Sequence, residues 1–318
     1  MRSHRHRHRG FTLIELLIVI AVIAVLVGLV VVAAGSMLKK AKSTEDMGNH
    51  RALSAANWSH SVDNNGKMLH PRTGPTGGAD DPTGDSQHDR MWIMEWGNDS
   101  NGYARMVNTG GEYIEMQTAI KDGAAYPYIG DVTAFQSPLD PTIGDIDAYA
   151  DASIHQQAGM PTDRIRSYAV NAFVGCLWGA DDMTTYRDSG PLNLGANGYW
   201  FSTETVSQIP QPGNTMFTIG EDDSWGRNGH GWLISPTITN PQFLNPTFNW
   251  LDFPAFWDDR RANISFIDGS TGFIPLENDQ IEQDWLNQGH EVMINYAETE
   301  SRAIRRVLLP GRITTLLE

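Results

Sequence analysis

The sequence predicts an α+β protein: a long N-terminal transmembrane helix that continues into a head, with an antiparallel β-sheet packed on the helix's outer half. Three observations carry this. Residues 16–38 are 23 consecutive uncharged positions, which at about 1.5 Å per residue make roughly 34 Å of helix, enough to cross a bilayer core. The first proline is Pro71, so nothing covalent interrupts a helix from residue 11 to the stop signal Asn64-Asn65-Gly66. Beyond residue 66, short apolar runs alternate with turn residues, the pattern of strands joined by loops.

Charge and composition narrow the function classes. The 318 residues include 23 Lys+Arg against 38 Asp+Glu, a formal charge of −15, which argues against a nucleic-acid partner because that needs a basic footprint. With 40% hydrophobic and 19% charged residues the chain is too apolar for wholesale disorder, so a folded head is expected. Its 31 Gly, 16 Pro and 10 Trp point to a loop-rich, strand-containing body and away from a helix bundle. The lone cysteine, Cys176, excludes an intramolecular disulfide and a multi-cysteine zinc site, and reads as a small buried apolar residue.

The N-terminus is the most informative stretch. Residues 1–10 read MRSHRHRHRG, with Arg2, Arg5, Arg7 and Arg9, and the apolar run that follows is longer and more continuous than the core of a cleaved secretory signal. The basic leader is expected to stay cytoplasmic and to put residues beyond about 40 outside, although Lys39, Lys40 and Lys42 oppose that bias. Glu15 is the exception inside the apolar stretch. A carboxylate at the head of a membrane helix costs on the order of 2.5–3.5 kcal/mol unless it is paired.

The segment Arg9-Gly10-Phe11-Thr12-Leu13-Ile14-Glu15 with the apolar residues after it resembles the class III signal of type IV pilins and type II secretion pseudopilins. The resemblance implies a leader of residues 1–10, an N-terminal helix over residues 11–65, and a pilin-like α+β head over residues 66–318. Within the helix, residues 11–38 would be the membrane and filament core and residues 39–65 an amphipathic extension. It implies cleavage between Gly10 and Phe11 by a membrane-embedded prepilin peptidase, methylation of the new Phe11 amine, and assembly through Phe11 and Glu15. A Gly before the scissile bond leaves the backbone unhindered. The Phe11 amine lies four residues from Glu15, and the same amine on a neighbouring subunit would be a better-placed counterion, so pairing would reward assembly. Further implied partners are other pilin or pseudopilin subunits and an inner-membrane assembly platform. The implied location is the inner membrane and then a periplasmic or cell-surface filament. Family members often carry a proline part-way along the membrane helix; Val32 stands there instead, leaving Gly28 and Gly35 as candidate weak points.

Within the helix, Ala24 and Gly28, with Gly35 one heptad beyond, form small steps that permit close packing. In the outer half, Ala41, Thr44, Gly48, Ala52, Ala55, Ser59 and Val62 recur at threes and fours, and this face is expected to receive the sheet. Residues 66 to about 88 read as an irregular surface loop. Strands are expected at residues 216–219, 231–234, 263–267 and 270–274, the last two joined through Asp268-Gly269 as a two-residue hairpin. Helices are expected at residues 280–287 and 298–309.

The head also is similar, in order, to a pilin-like family with a His-x9-Asp-Gly signature near its C-terminus. The similarity is patchy over residues 50 to 275 and runs through Phe135-Gln136-Ser137-Pro138-Leu139-Asp140, Arg166-Ser167-Tyr168-Ala169-Val170-Asn171, Thr215-Met216-Phe217-Thr218-Ile219-Gly220-Glu221 and Arg261-Ala262-Asn263-Ile264-Ser265-Phe266-Ile267-Asp268-Gly269. Asp258 stands where that signature has His, and Ser270 follows the Asp-Gly pair, so no role for those histidines carries over.

Catalytic signals are missing from the sequence. There is no HExxH, G-x-S-x-G, GxxxxGK[ST] or GxGxxG after a strand, and the expectation is a protein that is not an enzyme. Glu95 and Asp99 could serve glycoside cleavage, and Trp92, Trp96, Trp178, Trp200, Trp225 and Trp232 could stack on sugars, but such tryptophans are more often core. Asp140, Asp145, Asp147 and Asp151 gather four carboxylates in twelve residues and are a candidate calcium site, since hard cations want several oxygens. Asp222, Asp223, Asp258 and Asp259 are a second acidic group. The expected function is a prepilin-like structural subunit of a type IV pilus or a type II secretion pseudopilus. The alternative is a single-pass anchored binding protein or adhesin with an acidic, Trp-rich head.

Overall fold

The computed structural model describes residues 13–71, 90–93, 120–141, 143, 166–175, 203–222, 231–232, 234–235, 248–250, 252–281, 283, 292–294, 300, 303–304 and 307–308. The chain divides into two compact units, Met1–Thr44 and Glu45–Glu318. Helix α1 (Leu13–Asp63) is 51 residues long. No Pro interrupts it, and the valines and isoleucines of its first half are tolerated because a membrane-type helix is selected by hydropathy rather than by propensity. It ends at the expected stop: Asn65 adopts φ 55°, and Gly66 N donates to Ser61 O at 2.7 Å, satisfying one of the last carbonyls.

In the first unit, the apolar side chains from Leu13 to Leu38 are exposed. The helix is long and apolar enough to cross a membrane, and none of its most apolar window is buried in the protein. A soluble core helix would hide such a face, so this stretch needs lipid or neighbouring apolar helices as its solvent.

The second unit is built on a sheet ordered β1-β2-β6-β7, with β5 pairing the far end of β2. The strands are β1 (Tyr168–Val170), β2 (Met216–Asp222), β3 (Ile234–Ser235), β4 (Phe248–Trp250), β5 (Phe253–Pro254), β6 (Arg261–Phe266), β7 (Thr271–Pro275) and β8 (Val292–Ile294). Every ladder in this sheet is antiparallel, and β3, β4 and β8 form a second antiparallel sheet in the order β3-β4-β8. A one-turn helix α2 (Tyr126–Ile129) is followed by a 3-10 turn over Val132–Phe135, capped by the Asp131 carboxylate on Thr133 N at 2.9 Å.

Period-2 alternation, interrupted in β2 by a register shift between Met216 and Thr218, sorts the sheet's two faces. Ala262 and Ile264 of β6, Ile219 of β2, Ala169 of β1 and Ile274 of β7 share one buried cluster with Ile281, Ile304 and Leu308 from the C-terminal segments. The opposite face meets the outer half of α1. There Tyr168, Val170, Phe217 and Ile267 join Leu53, Met68, Trp92 and Phe135 in a second cluster.

Three sequence expectations need correction. The face of α1 against the sheet is not the small-residue stripe: Ala41, Thr44, Gly48, Ala55, Ser59 and Val62 are exposed, and the buried residues are Asp46, His50, Leu53, Ser54, Ala56, Asn57, His60 and Ser61. The sheet offers hydroxyl, amide and carbonyl groups there, which polar helix residues satisfy and alanines would leave unpaired. The β6–β7 connection is a three-residue loop, because Phe266 N bonds Ser270 O at 2.8 Å and Gly269 N closes a turn on Phe266 O at 3.0 Å. Ile267 leaves the ladder to enter the core, and Gly269 takes φ 87° as the bulge residue. Residues 67–71, expected at the surface, begin with buried positions: Met68 and Leu69 are in the core, and His70 bridges Met91. The remainder of that loop lies outside the described residues.

Candidate functional site

Two groups of residues stand out chemically, one in each unit. In the first, Glu15 lies in the first turn of α1, at the start of an exposed apolar surface, while Gly10 and Phe11 lie outside the described residues. The helix passes Val32 without a break, and an added Cβ at Gly28 or Gly35 would meet nothing within 4 Å. A surface of this kind lets another helix approach to backbone distance.

The second group is a polar seam where α1 crosses β1, β2 and β6 within the second unit. Asp46 Oδ1 accepts the Tyr168 hydroxyl at 2.7 Å, and Asp46 Oδ2 accepts Asn263 Nδ2 at 2.7 Å. The same Asn263 nitrogen lies 3.1 Å from Asp258 Oδ2, so one amide bridges two buried carboxylates. Asp258 is also held by Arg261 Nη2 at 3.2 Å. One turn along α1, His50 Nδ1 is 2.7 Å from Thr218 Oγ1, which is 2.5 Å from Ser265 Oγ. His50 Nε2 faces Asp46 Oδ2 at 3.9 Å, too long for a hydrogen bond, and has no other partner. With a carboxylate opposite Nε2, we assign the proton to Nε2 and make Nδ1 the acceptor of the Thr218 hydroxyl. Further along, Ser54 Oγ donates to Phe266 O at 2.7 Å, Trp58 Nε1 donates to Ile267 O, and Asn57 Oδ1 accepts Leu69 N at 2.9 Å.

Burial tunes these groups. It holds the His50 imidazole below its ordinary pKa, opposed by the Asp46 carboxylate, and it lowers His60 in the same way. Burial, with the adjacent Asp46 charge adding to it, pushes the Tyr168 phenol well above its ordinary value. All three groups are therefore neutral at pH 7, the form a desolvated site favours. Beside the seam, Arg166 Nη1 meets Glu221 Oε2 at 3.0 Å in a buried ion pair, and its guanidinium lies 5.7 Å from the Trp92 ring centroid. The Thr218 hydroxyl that meets the His50 imidazole is fully buried together with it, and the seam is filled by its own side chains.

The residues singled out from the sequence divide as follows. Asp268 and Gly269 sit in the β6–β7 loop, where Asp268 Oδ1 accepts Ser270 N at 2.9 Å and Ser270 Oγ at 2.6 Å. Ser270 is thus part of the turn, and Asp258 is an anchor of the seam. Asp140 is buried and accepts Ser167 Oγ at 2.6 Å, while Asp145, Asp147 and Asp151 lie outside the described residues. Asp222 pairs with Phe253 across β2 and β5, and Asp223 is outside the described residues. Among the described residues, no three His, Cys, Asp or Glu side chains are arranged to hold a metal ion. Trp92 and Trp232 are buried core residues; Trp96, Trp178, Trp200, Trp225, Glu95, Asp99 and Cys176 lie outside the described residues.

Sequence reasoning missed the seam. A signal was present, because Asp46, His50, Ser54, Asn57 and Ser61 recur at fours and threes, and Asn263 and Ser265 alternate with Ala262 and Ile264. Two matched polar stripes, one of helical and one of strand period, mark a polar helix–sheet contact.

Comparison with known proteins gives one match. Residues 5–31 match the family described as the prokaryotic N-terminal methylation motif. No curated protein and no solved structure matches the chain. The matched residues span positions 5–10 of the leader, the expected cleavage position and the first half of the apolar helix, and they support a likeness to type IV pilins and pseudopilins. Its long apolar helix followed by an antiparallel sheet is the corresponding α+β architecture.

Proposed function

We propose that the chain is a prepilin-like structural subunit, cleaved between Gly10 and Phe11, N-methylated on Phe11, and assembled through its N-terminal helix into a type IV pilus or a secretion pseudopilus. The observation that carries this reading is the continuity of the methylation motif with α1, whose apolar surface is bare in the single chain. Before assembly the bilayer covers that surface, with the leader cytoplasmic and the head outside; afterwards the helices of neighbouring subunits cover it. Glu15 supplies the specificity. Its carboxylate is costly in hydrocarbon, and the Phe11 ammonium of an adjacent subunit offsets that cost only in register.

The leader, residues 1–10, takes four arginines with it and leaves 19 Lys+Arg against 38 acids, a formal −19 for the processed chain. Such a charge keeps assembled heads soluble. The enzyme in this chemistry is the prepilin peptidase, and the chain is its substrate.

Mass spectrometry of the intact protein and its N-terminal peptide, taken from the native envelope, tests the reading. A chain beginning at methylated Phe11 is the expected result. A chain beginning at Met1 while the peptidase is present would overturn it and leave a membrane-anchored head acting as a binding protein.

A further inference from the structure

Three lysines, Lys39, Lys40 and Lys42, follow directly on the uncharged run and are exposed on α1. Topology does not account for them, because basic residues favour the cytoplasmic end of a span and these lie at the other end. At about 100° per residue they fan over roughly 160° of the helix circumference. They form a band that can meet charge from several sides.

The charge elsewhere in the chain is of the opposite sign. Residues 45–318 hold 16 Lys+Arg against 37 Asp+Glu, a formal −21, and Asp122, Asp131, Asp259, Asp268 and Asp279 are among the exposed acids. In residues 11–44 the same three lysines face only Glu15. Units of such charge repel when brought side by side. The lysine band is a basic cluster that every processed copy brings along with its acidic unit. We propose that Lys39, Lys40 and Lys42 dock the acid-rich surface of residues 45–318 of a second copy of this chain in the assembled filament.

This proposal rests on the filament reading above. Anionic lipid headgroups would also attract the band, but lipid is left behind when a subunit leaves the bilayer, whereas an acidic neighbour accompanies it at fixed stoichiometry.

The test places a photo-crosslinking residue at Ala41, which is exposed among the lysines, in the full-length chain in its native envelope. The expected result is light-dependent adducts to peptides from residues 45–318 of another copy. They should fall about tenfold in the variant K39Q/K40Q/K42Q and return in K39R/K40R/K42R, since the contact is electrostatic. Processing to Phe11 should be the same in all three. Adducts to phospholipid alone, or adducts unchanged by the Gln variant in chains that are processed and assembled, would overturn this inference and leave the filament reading standing. Unprocessed chains beginning at Met1 would overturn both.

Discussion

Tyr168 donates its hydroxyl proton to Asp46 Oδ1 at 2.7 Å, joining β1 to α1 across 122 positions of sequence. Asp46 is 3% exposed, so removing its carboxylate would leave the phenol and the Asn263 amide buried without that acceptor.

Asp46→Ala is therefore expected to cost about 3–5 kcal/mol, the loss of two buried hydrogen bonds to a charged acceptor. Asp46→Asn, which keeps an acceptor for Tyr168 but turns an amide towards Asn263, should lose roughly half of that. Glu45→Ala, one position away and exposed, should stay within about 0.5 kcal/mol. Thermal melts of the full chain in detergent, followed by circular dichroism, rank the three; equal melting temperatures for Asp46→Ala and Glu45→Ala would show that the seam contributes nothing.

The seam also sets a pH dependence. His50 is neutral in the fold because burial holds its pKa below the ordinary value, whereas the unfolded chain protonates it near pH 6.5. Its contribution is complete above that value and is lost as pH falls, at up to about 1.4 kcal/mol per pH unit while the unfolded state alone binds the proton. His60 shifts in the same direction. The melting temperature should drop between pH 7 and pH 5, and His50→Gln should flatten the slope over that window. A parallel slope in the variant would remove His50 as the cause.

For Glu15, the filament reading makes an asymmetric prediction. Glu15→Ala should leave cleavage between Gly10 and Phe11 intact, since the carboxylate is five positions from the bond-donating Gly10, yet reduce incorporation into sheared filaments at least about tenfold by removing the intramembrane counterion. Normal incorporation would reduce Glu15 to a headgroup-level residue of an ordinary anchor.

Two glycines with similar φ values should respond differently to alanine. Gly175 has φ 79°, and an added Cβ would sit 1.8 Å from Leu69 O; Gly130 has φ 72° and open space around it. Gly130→Ala should cost about 1 kcal/mol for its left-handed backbone alone. Gly175→Ala must displace the 67–71 segment and should cost more than about 3 kcal/mol. Urea titrations of both full-length variants make the comparison; similar midpoints would mean that segment yields freely.

How far the sequence could be read depended on the range of the interaction. The long apolar helix, its end at Asn64-Asn65-Gly66 and the pairing of β6 with β7 are written in neighbouring residues, and they are legible. The buried face of α1 was not, because the expectation was that small residues face a sheet, whereas Thr218, Asn263 and Ser265 present a polar surface that selects Asp46, His50 and Ser54. Ile267 shows the same limit: the Asp268-Gly269 pair signals a tight turn, but burial of Ile267, whose N bonds Thr215 O at 2.9 Å, lengthens it to three residues. The ion pair of Arg166 and Glu221 joins two segments that the head resemblance had picked out separately, without indicating that they touch. On the filament reading, the information for Gly10, Phe11 and Glu15 is again local, since a processing enzyme would read consecutive residues.

A joint made of hydrogen bonds behaves differently from a greasy one under mechanical load. Apolar surfaces slide past each other with little change in energy, but the bonds from Asp46, His50, Asn57 and Ser54 to fixed partners fall out of reach together once α1 shifts by a single residue, about 1.5 Å. Pulled along its axis, the outer half of this helix should hold its register stiffly up to a threshold and then release in one step. The seam is a row of rivets, strong in shear until it fails.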